Sequence, residues 1–168
     1  VSEEATSRIE KQDIWTEVKL RDLIKAKLGQ GSFFVVSNRE PYMHTVDKDT
    51  GKVQCIRPAG GVVAAIDPIL KASGGTWIAH GSGNADRKFV NTKDRLGVPP
   101  GDNRYILKRV WLSKQDEQGY YYGFSNEGLW PLCHITYVRP IFRESDWQTY
   151  KAVNQKFADV VAEELPAK

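Results

Sequence analysis

The sequence of 168 residues predicts an α/β fold, a largely parallel sheet with flanking helices. Three observations carry this. Short β-prone runs at residues 33–37, 76–79 and 105–112 read as strands, the first of them almost wholly apolar. Helical patterns lie between and after these runs. Polar residues, Asn38-Arg39 and His80, directly follow the first two, and open α/β sheets bind ligands beyond the carboxyl ends of their strands.

The elements follow in order. Residues 11–28 form an amphipathic helix: Ile14, Val18, Leu20, Ile24 and Leu28 make an approximate stripe, and Gly29 closes it. The first strand stops at Asn38-Arg39-Glu40-Pro41, because proline biases its predecessor away from helix. Residues 42–56 read as a hairpin, two β-prone arms around the turn-forming DKDTG. Residues 62–72 are a helix led in by Gly60-Gly61 and closed by Gly74-Gly75. The second strand gives way to a long polar loop, 80–103, rich in glycine and proline. Ser113, with Asp116 three residues on, caps the turn after the third strand. The stretch GYYYGFSNEGLWPLCH, residues 119–134, follows on helical or broken-helical structure. Ser145 and Gln148 have capping-box spacing. Trp147, Tyr150, Val153, Phe157, Val160 and Val161 mark one face of a last helix running to about Leu165. The organisation expected is an amino-terminal extension, 1–31, and one α/β domain, 32–168.

Composition narrows the partners. A net charge of +3 suits an anionic small molecule. Without a dense Lys/Arg block, nucleic acid is not expected. No apolar run is long enough to span a membrane, and the polar, acidic start is not that of a signal peptide. Cys55 and Cys133 lack metal-site spacing and read as free thiols of a reducing compartment, which points to the cytoplasm. No metal is expected.

The candidate site residues each admit a plain reading. Gly60-Gly61 ahead of a helix is either a tight turn or a cradle for phosphate, where bare backbone and free N–H groups meet an anion. Arg39 is either a surface arginine or a bidentate grip on phosphate or carboxylate. Most rings of residues 119–134 must pack, since they cannot all line one pocket, yet Tyr and Trp suit sugar faces and hydroxyls. The HGSG stretch opening at His80 reads as flexible and exposed, which favours a binding histidine. His134 reads as structural, and His44 carries no signal. HExxH, Walker and GxSxG patterns do not occur.

Together, VVSNR at 35–39, PAGGV at 58–62, GGTW at 74–77, YYGFSNEGLWPLCH at 121–134 and the helix bearing Trp147, Tyr150, Val153, Asn154, Phe157, Ala158 and Asp159 resemble one family. It is the trehalose-6-phosphate synthase family of retaining glycosyltransferases. The resemblance implies a GT-B fold, in which two Rossmann-like domains face each other across the active site, and this chain would be an incomplete amino-terminal domain. It implies glucose transfer from a nucleotide sugar, UDP-glucose or a relative, to glucose 6-phosphate, with retention and without a cofactor. By position, Arg39 would grip the acceptor phosphate, Gly60 and Gly61 would meet the donor diphosphate, and Tyr121 and Trp130 would line the acceptor pocket.

Two departures shape the expectation. His80 stands where the family usually has an acceptor-lining tryptophan, which opens the choice of acceptor, including polyol phosphates such as glycerol phosphate. The family's later acceptor-side aspartate and histidine and its donor domain have no counterpart, so no catalytic residue is assigned here. The chain is expected to be inactive alone and prone to self-association through the 33–37 strand, unless the amino-terminal helix covers that edge. A non-catalytic sugar-phosphate-binding regulatory domain is the alternative reading.

Overall fold

The computed structural model describes residues 14–29 and 31–165. Residues 11–13 of the expected first helix lie outside them. Helix α1 spans Glu17–Leu28, with the Thr16 hydroxyl accepting from the Lys19 N–H at 3.3 Å and Gly29 closing it at a φ of 57°. Strand β1 is Phe34–Ser37, and the hairpin arms β2 and β3 are Met43–Val46 and Val53–Ile56. Helix α2 is Gly61–Ser73 and β4 is Thr76–His80. Strands β5, Arg95–Val98, and β6, Tyr105–Val110, complete the sheet.

The main sheet runs β1-β4-β6-β5, with β1, β4 and β6 parallel and β5 antiparallel to β6. All five residues of β4 are buried, as a central strand covered on both faces requires. One face packs Val63 and Leu70 of α2 against Trp77, Ala79, Tyr105 and Leu107. The other packs Ile78 and Val110 under Val153 and Phe157 of the last helix, α5, Glu144–Glu164. Helices on both faces of a mostly parallel sheet make the domain Rossmann-like. Helix α1 packs on α2 and buries none of its residues. No described helix is long and apolar enough to cross a membrane.

Two expectations are corrected. The 80–103 stretch is not all loop: it holds a 3₁₀ turn, Asp86–Lys88, and strand β5. Gly97 hides that strand from propensity, yet the sheet needs a glycine there, since a Cβ would lie 2.5 Å from the Asn103 Oδ1. The last helix begins without the Ser145–Gln148 box. Arg143 occupies the cap without a side-chain cap bond, and the Gln148 amide bonds Glu144 one turn back. Arg143 instead pairs with Glu127 at 2.5 Å and Asp146 at 3.1 Å, fastening α5 to the aromatic stretch.

That stretch is helical throughout. Ser113 and Asp116 form a reciprocal capping box on α3, Lys114–Glu117. The chain then widens into a π-type helix, Gln118–Leu129, and returns to the α form in α4, Trp130–Cys133. Two of its glycines face α5 and the third the segment leading into it: a Cβ would lie 2.9 Å from Thr149 at Gly119, 2.5 Å from Asp146 at Gly123 and 2.7 Å from Phe142 at Gly128. Bare backbone lets the wide helix lie close, and Phe124 settles 4.7 Å from the Tyr150 ring and 5.1 Å from that of Trp147.

Candidate functional site

Topology brings Arg39, Gly60-Gly61 and His80 to one end of the sheet. Parallel pairing sets Ser37 beside Ala79, so Asn38-Arg39 and His80 leave neighbouring carboxyl ends. Helix α2 crosses back from that end to the start of β4, so Gly60-Gly61 opens there too. Trp111 leaves the carboxyl end of β6, and α3 carries the chain on to Tyr121 and Trp130.

Arg39 is exposed, and its guanidinium has no hydrogen bond or ion pair among the described residues. Its backbone is held instead: the Ser37 hydroxyl donates to the Arg39 carbonyl at 2.7 Å and accepts from the Trp77 indole N–H at 2.9 Å. The loop is anchored and its cation left free.

The Gly60-Gly61 geometry separates the two readings of that pair. Gly60 has a φ of 169°, which any residue adopts, and Gly61 has no left-handed φ either. A Cβ at either would meet nothing within 4 Å. The protein itself therefore has no steric or conformational need for glycine here, and the bare backbone faces open space. Behind it, the fully buried Asp67 of α2 accepts from Arg57 at 2.8 Å, Lys71 at 2.7 Å and the Tyr105 hydroxyl at 2.7 Å. Arg57 begins the Arg57-Pro58-Ala59 loop, so this bond ties the approach to the glycines onto the core. Burial, with the Asp67 carboxylate beside it, pushes the Tyr105 phenol far up, so it stays a donor.

His80 is buried, against the expectation of an exposed, flexible histidine. The HGSG stretch is tightly packed. Gly81 presses on Trp111, whose ring carbon Cζ3 would lie 2.3 Å from a Cβ, and Gly83 presses on the His44 carbonyl at the same distance. The His80 Nδ1 lies 3.2 Å from the Val110 carbonyl, to which it can only donate; Nε2 has no partner among the described residues. Tyr121 is half-buried. Trp130 is exposed and stacks on His134, with 4.5 Å between ring centroids. Tyr120 and Phe124 pack on Tyr150 of α5.

Residues that carried no signal in the sequence support this end. The Asp86 Oδ1 accepts from the His44 N–H at 2.7 Å, His44 Nδ1 at 3.0 Å and Arg109 Nη2 at 2.8 Å, and its Oδ2 accepts from the Gly83 N–H at 2.8 Å. Arg109, itself buried, also donates to the carbonyls of Tyr42 and His80. Glu40, next to Arg39, is 3% exposed and accepts from the Ser82 hydroxyl at 2.5 Å. Burial raises its carboxyl above the usual range. The one available hint was the Lys108-Arg109 pair inside an otherwise apolar strand, since a charge there must find a partner. Cys55 and Cys133 are free and exposed.

A mostly parallel, Rossmann-like sheet with helices on both faces is the architecture of the amino-terminal part of a GT-B glycosyltransferase. The model of glycosyltransferase family 20 matches residues 31–167, and the chain belongs to that family. The trehalose-6-phosphate synthase of Mycolicibacterium vanbaalenii is 36% identical over 138 residues, 82% of this chain and 27% of that protein. The synthase of Mycobacterium avium is equally similar. Among solved structures, the E. coli protein bound with UDP-2-fluoro glucose superposes with a TM-score of 0.52 at 31% identity, covering 79% of this chain and 25% of its own. A Burkholderia xenovorans trehalose-phosphate synthase in complex with glucose-6-phosphate gives 0.57 at 25% identity over 81% of this chain and 26% of its own. The chain thus spans about a quarter of the length of these relatives.

Proposed function

We propose that this chain is the acceptor-binding part of a glycosyltransferase that moves glucose from a nucleotide sugar, of the UDP-glucose type, to a sugar or polyol phosphate with retention. The observation that carries the reading is Arg39: anchored by its backbone, exposed, and without a partner at the carboxyl end of β1. Relatives named as trehalose-6-phosphate synthases, and neighbours solved with a UDP-glucose analogue and with glucose-6-phosphate, support the pairing of donor and acceptor. The open space before Gly60 and Gly61 suits a diphosphate approaching backbone N–H groups at the start of α2. In this reading Tyr121, Trp130 and the free Nε2 of His80 contact the acceptor. Retaining transfer needs both substrates held in contact. Two glycines cannot hold a nucleotide sugar, so this chain by itself turns nothing over.

The test is acceptor kinetics on the full-length protein with a panel of sugar and polyol phosphates. A charge-assisted contact to phosphate contributes about 1.5–3 kcal/mol, so Arg39→Ala is expected to raise the acceptor KM roughly 10- to 150-fold. An unchanged acceptor KM and kcat would refute the role of Arg39. Absence of transfer to every phosphorylated acceptor would refute the enzyme.

A further inference from the structure

A second arginine at the same end of the sheet is as free as Arg39. Arg87 lies in the 3₁₀ turn after the HGSG stretch, and its guanidinium carbon sits 4.1 Å from the centroid of the Trp111 ring. The side chain is exposed and, among the described residues, has neither a hydrogen bond nor an ion pair. The acid beside it in sequence does not neutralise it. Asp86 is turned inward, and its oxygens are taken by His44, Gly83 and Arg109. Stacking on an indole fixes a guanidinium in plane and leaves its N–H fork open for a carboxylate or phosphate.

The platform beneath it is itself fixed. Trp111 follows β6 directly, and its ring closes on Gly81, where no side chain would fit. The Gly81 N–H donates to the Val110 carbonyl at 3.0 Å, locking the two strand ends together. The indole Nε1 is buried without a partner, a second polar group at this spot whose pairing the protein does not supply. Arg39 follows β1 and Trp111 follows β6, with β4 and His80 between them. Two strand spacings separate the outer strands, about 10 Å, a span that a phosphorylated acceptor of three to six carbons can bridge.

We propose that Arg87, laid on Trp111, is a second anion-binding residue of the acceptor site, so that the acceptor carries an acidic group, a carboxylate, beyond the phosphate held by Arg39. The inference rests on the acceptor reading above, and binding separates the two. Calorimetry on the full-length protein compares matched pairs that differ only by carboxylate against hydroxymethyl: 3-phosphoglycerate against glycerol 3-phosphate, and 6-phosphogluconate against sorbitol 6-phosphate. The wild type is expected to bind the acid of at least one pair about tenfold tighter, as one added charge-assisted contact implies. Arg87→Gln should erase that preference without changing affinity for the hydroxymethyl partner, and Arg87→Lys on the same ring should restore part of it. Because Arg87 is exposed, its replacement leaves the thermal midpoint in place. Equal binding within both pairs, or a preference that survives Arg87→Gln, overturns the proposal while leaving Arg39 and the acceptor site intact. If neither these four phosphates nor glucose 6-phosphate binds, the acceptor reading falls and takes this inference with it.

Discussion

Replacing Asp86 with asparagine tests the buried framework behind the site. The side chain is fully buried and receives four hydrogen bonds, two from backbone N–H groups, one from His44 and one from Arg109. Asparagine keeps the shape but removes the charge, and its amide faces at least one N–H donor with a donor of its own. Arg109 then stands 1% exposed beside a neutral group, with its Nε already lacking a partner. Breaking a buried ion pair from one side costs about 3–5 kcal/mol. Glu40 remains near Arg109 and offsets part of the loss, so the lower end, about 3 kcal/mol, is expected. For a chain of this size that lowers the thermal midpoint by about 6–12 °C. Urea titrations on the 168-residue chain at neutral pH measure it, with the slope unchanged if the unfolded state is the same. The double variant Asp86→Asn, Arg109→Met should be less damaged than the sum of the singles, because the stranded cation is gone. A loss under about 1 kcal/mol, or strict additivity of the two changes, would refute the claim that this pair holds the HGSG stretch in place.

Two further outcomes concern Glu40 and strand β1. Burial holds the Glu40 carboxyl above its ordinary pKa, so the folded chain binds more protons than the unfolded one between the two values. Stability therefore falls as pH rises through that window; Glu40→Gln should match the wild type at its acid end and gain on it above, and parallel urea midpoints from pH 4 to 8 would contradict this. Strand β1 has β4 on one side and no strand on the other among the described residues, with Val36 half-exposed on it. An apolar unprotected edge invites pairing, so light scattering should find the chain larger than a monomer at high concentration and Val36→Lys should return it to one; a monomeric wild type would dispose of the edge argument.

How much of this was legible in the sequence depended on whether the cause was local. Strands β1, β4 and β6 announce themselves because burial on both faces demands apolar or β-prone runs, and Ser113 caps α3 through atoms three residues away. The position of Arg39 at the carboxyl end of the sheet was readable because it directly follows such a strand. Strand β5 was not, because pairing with β6, and not propensity, makes it a strand, and its glycine answers to Asn103. The Ser145–Gln148 box did not form: the helix starts at Glu144, ahead of Ser145, and the Arg143 in its cap position pairs with Asp146 and with the distant Glu127. The burial of His80 was hidden in the same way. HGSG looks mobile by composition, yet its glycines are there because Trp111 and the His44 carbonyl occupy the space a side chain would need. The same glycine logic works in the opposite direction at Gly60 and Gly61, where nothing of the protein fills that space. A glycine crowded by its own fold is explained by the fold. One that faces open space at a helix start is left without a cause in the fold, and the proposed diphosphate contact would supply it.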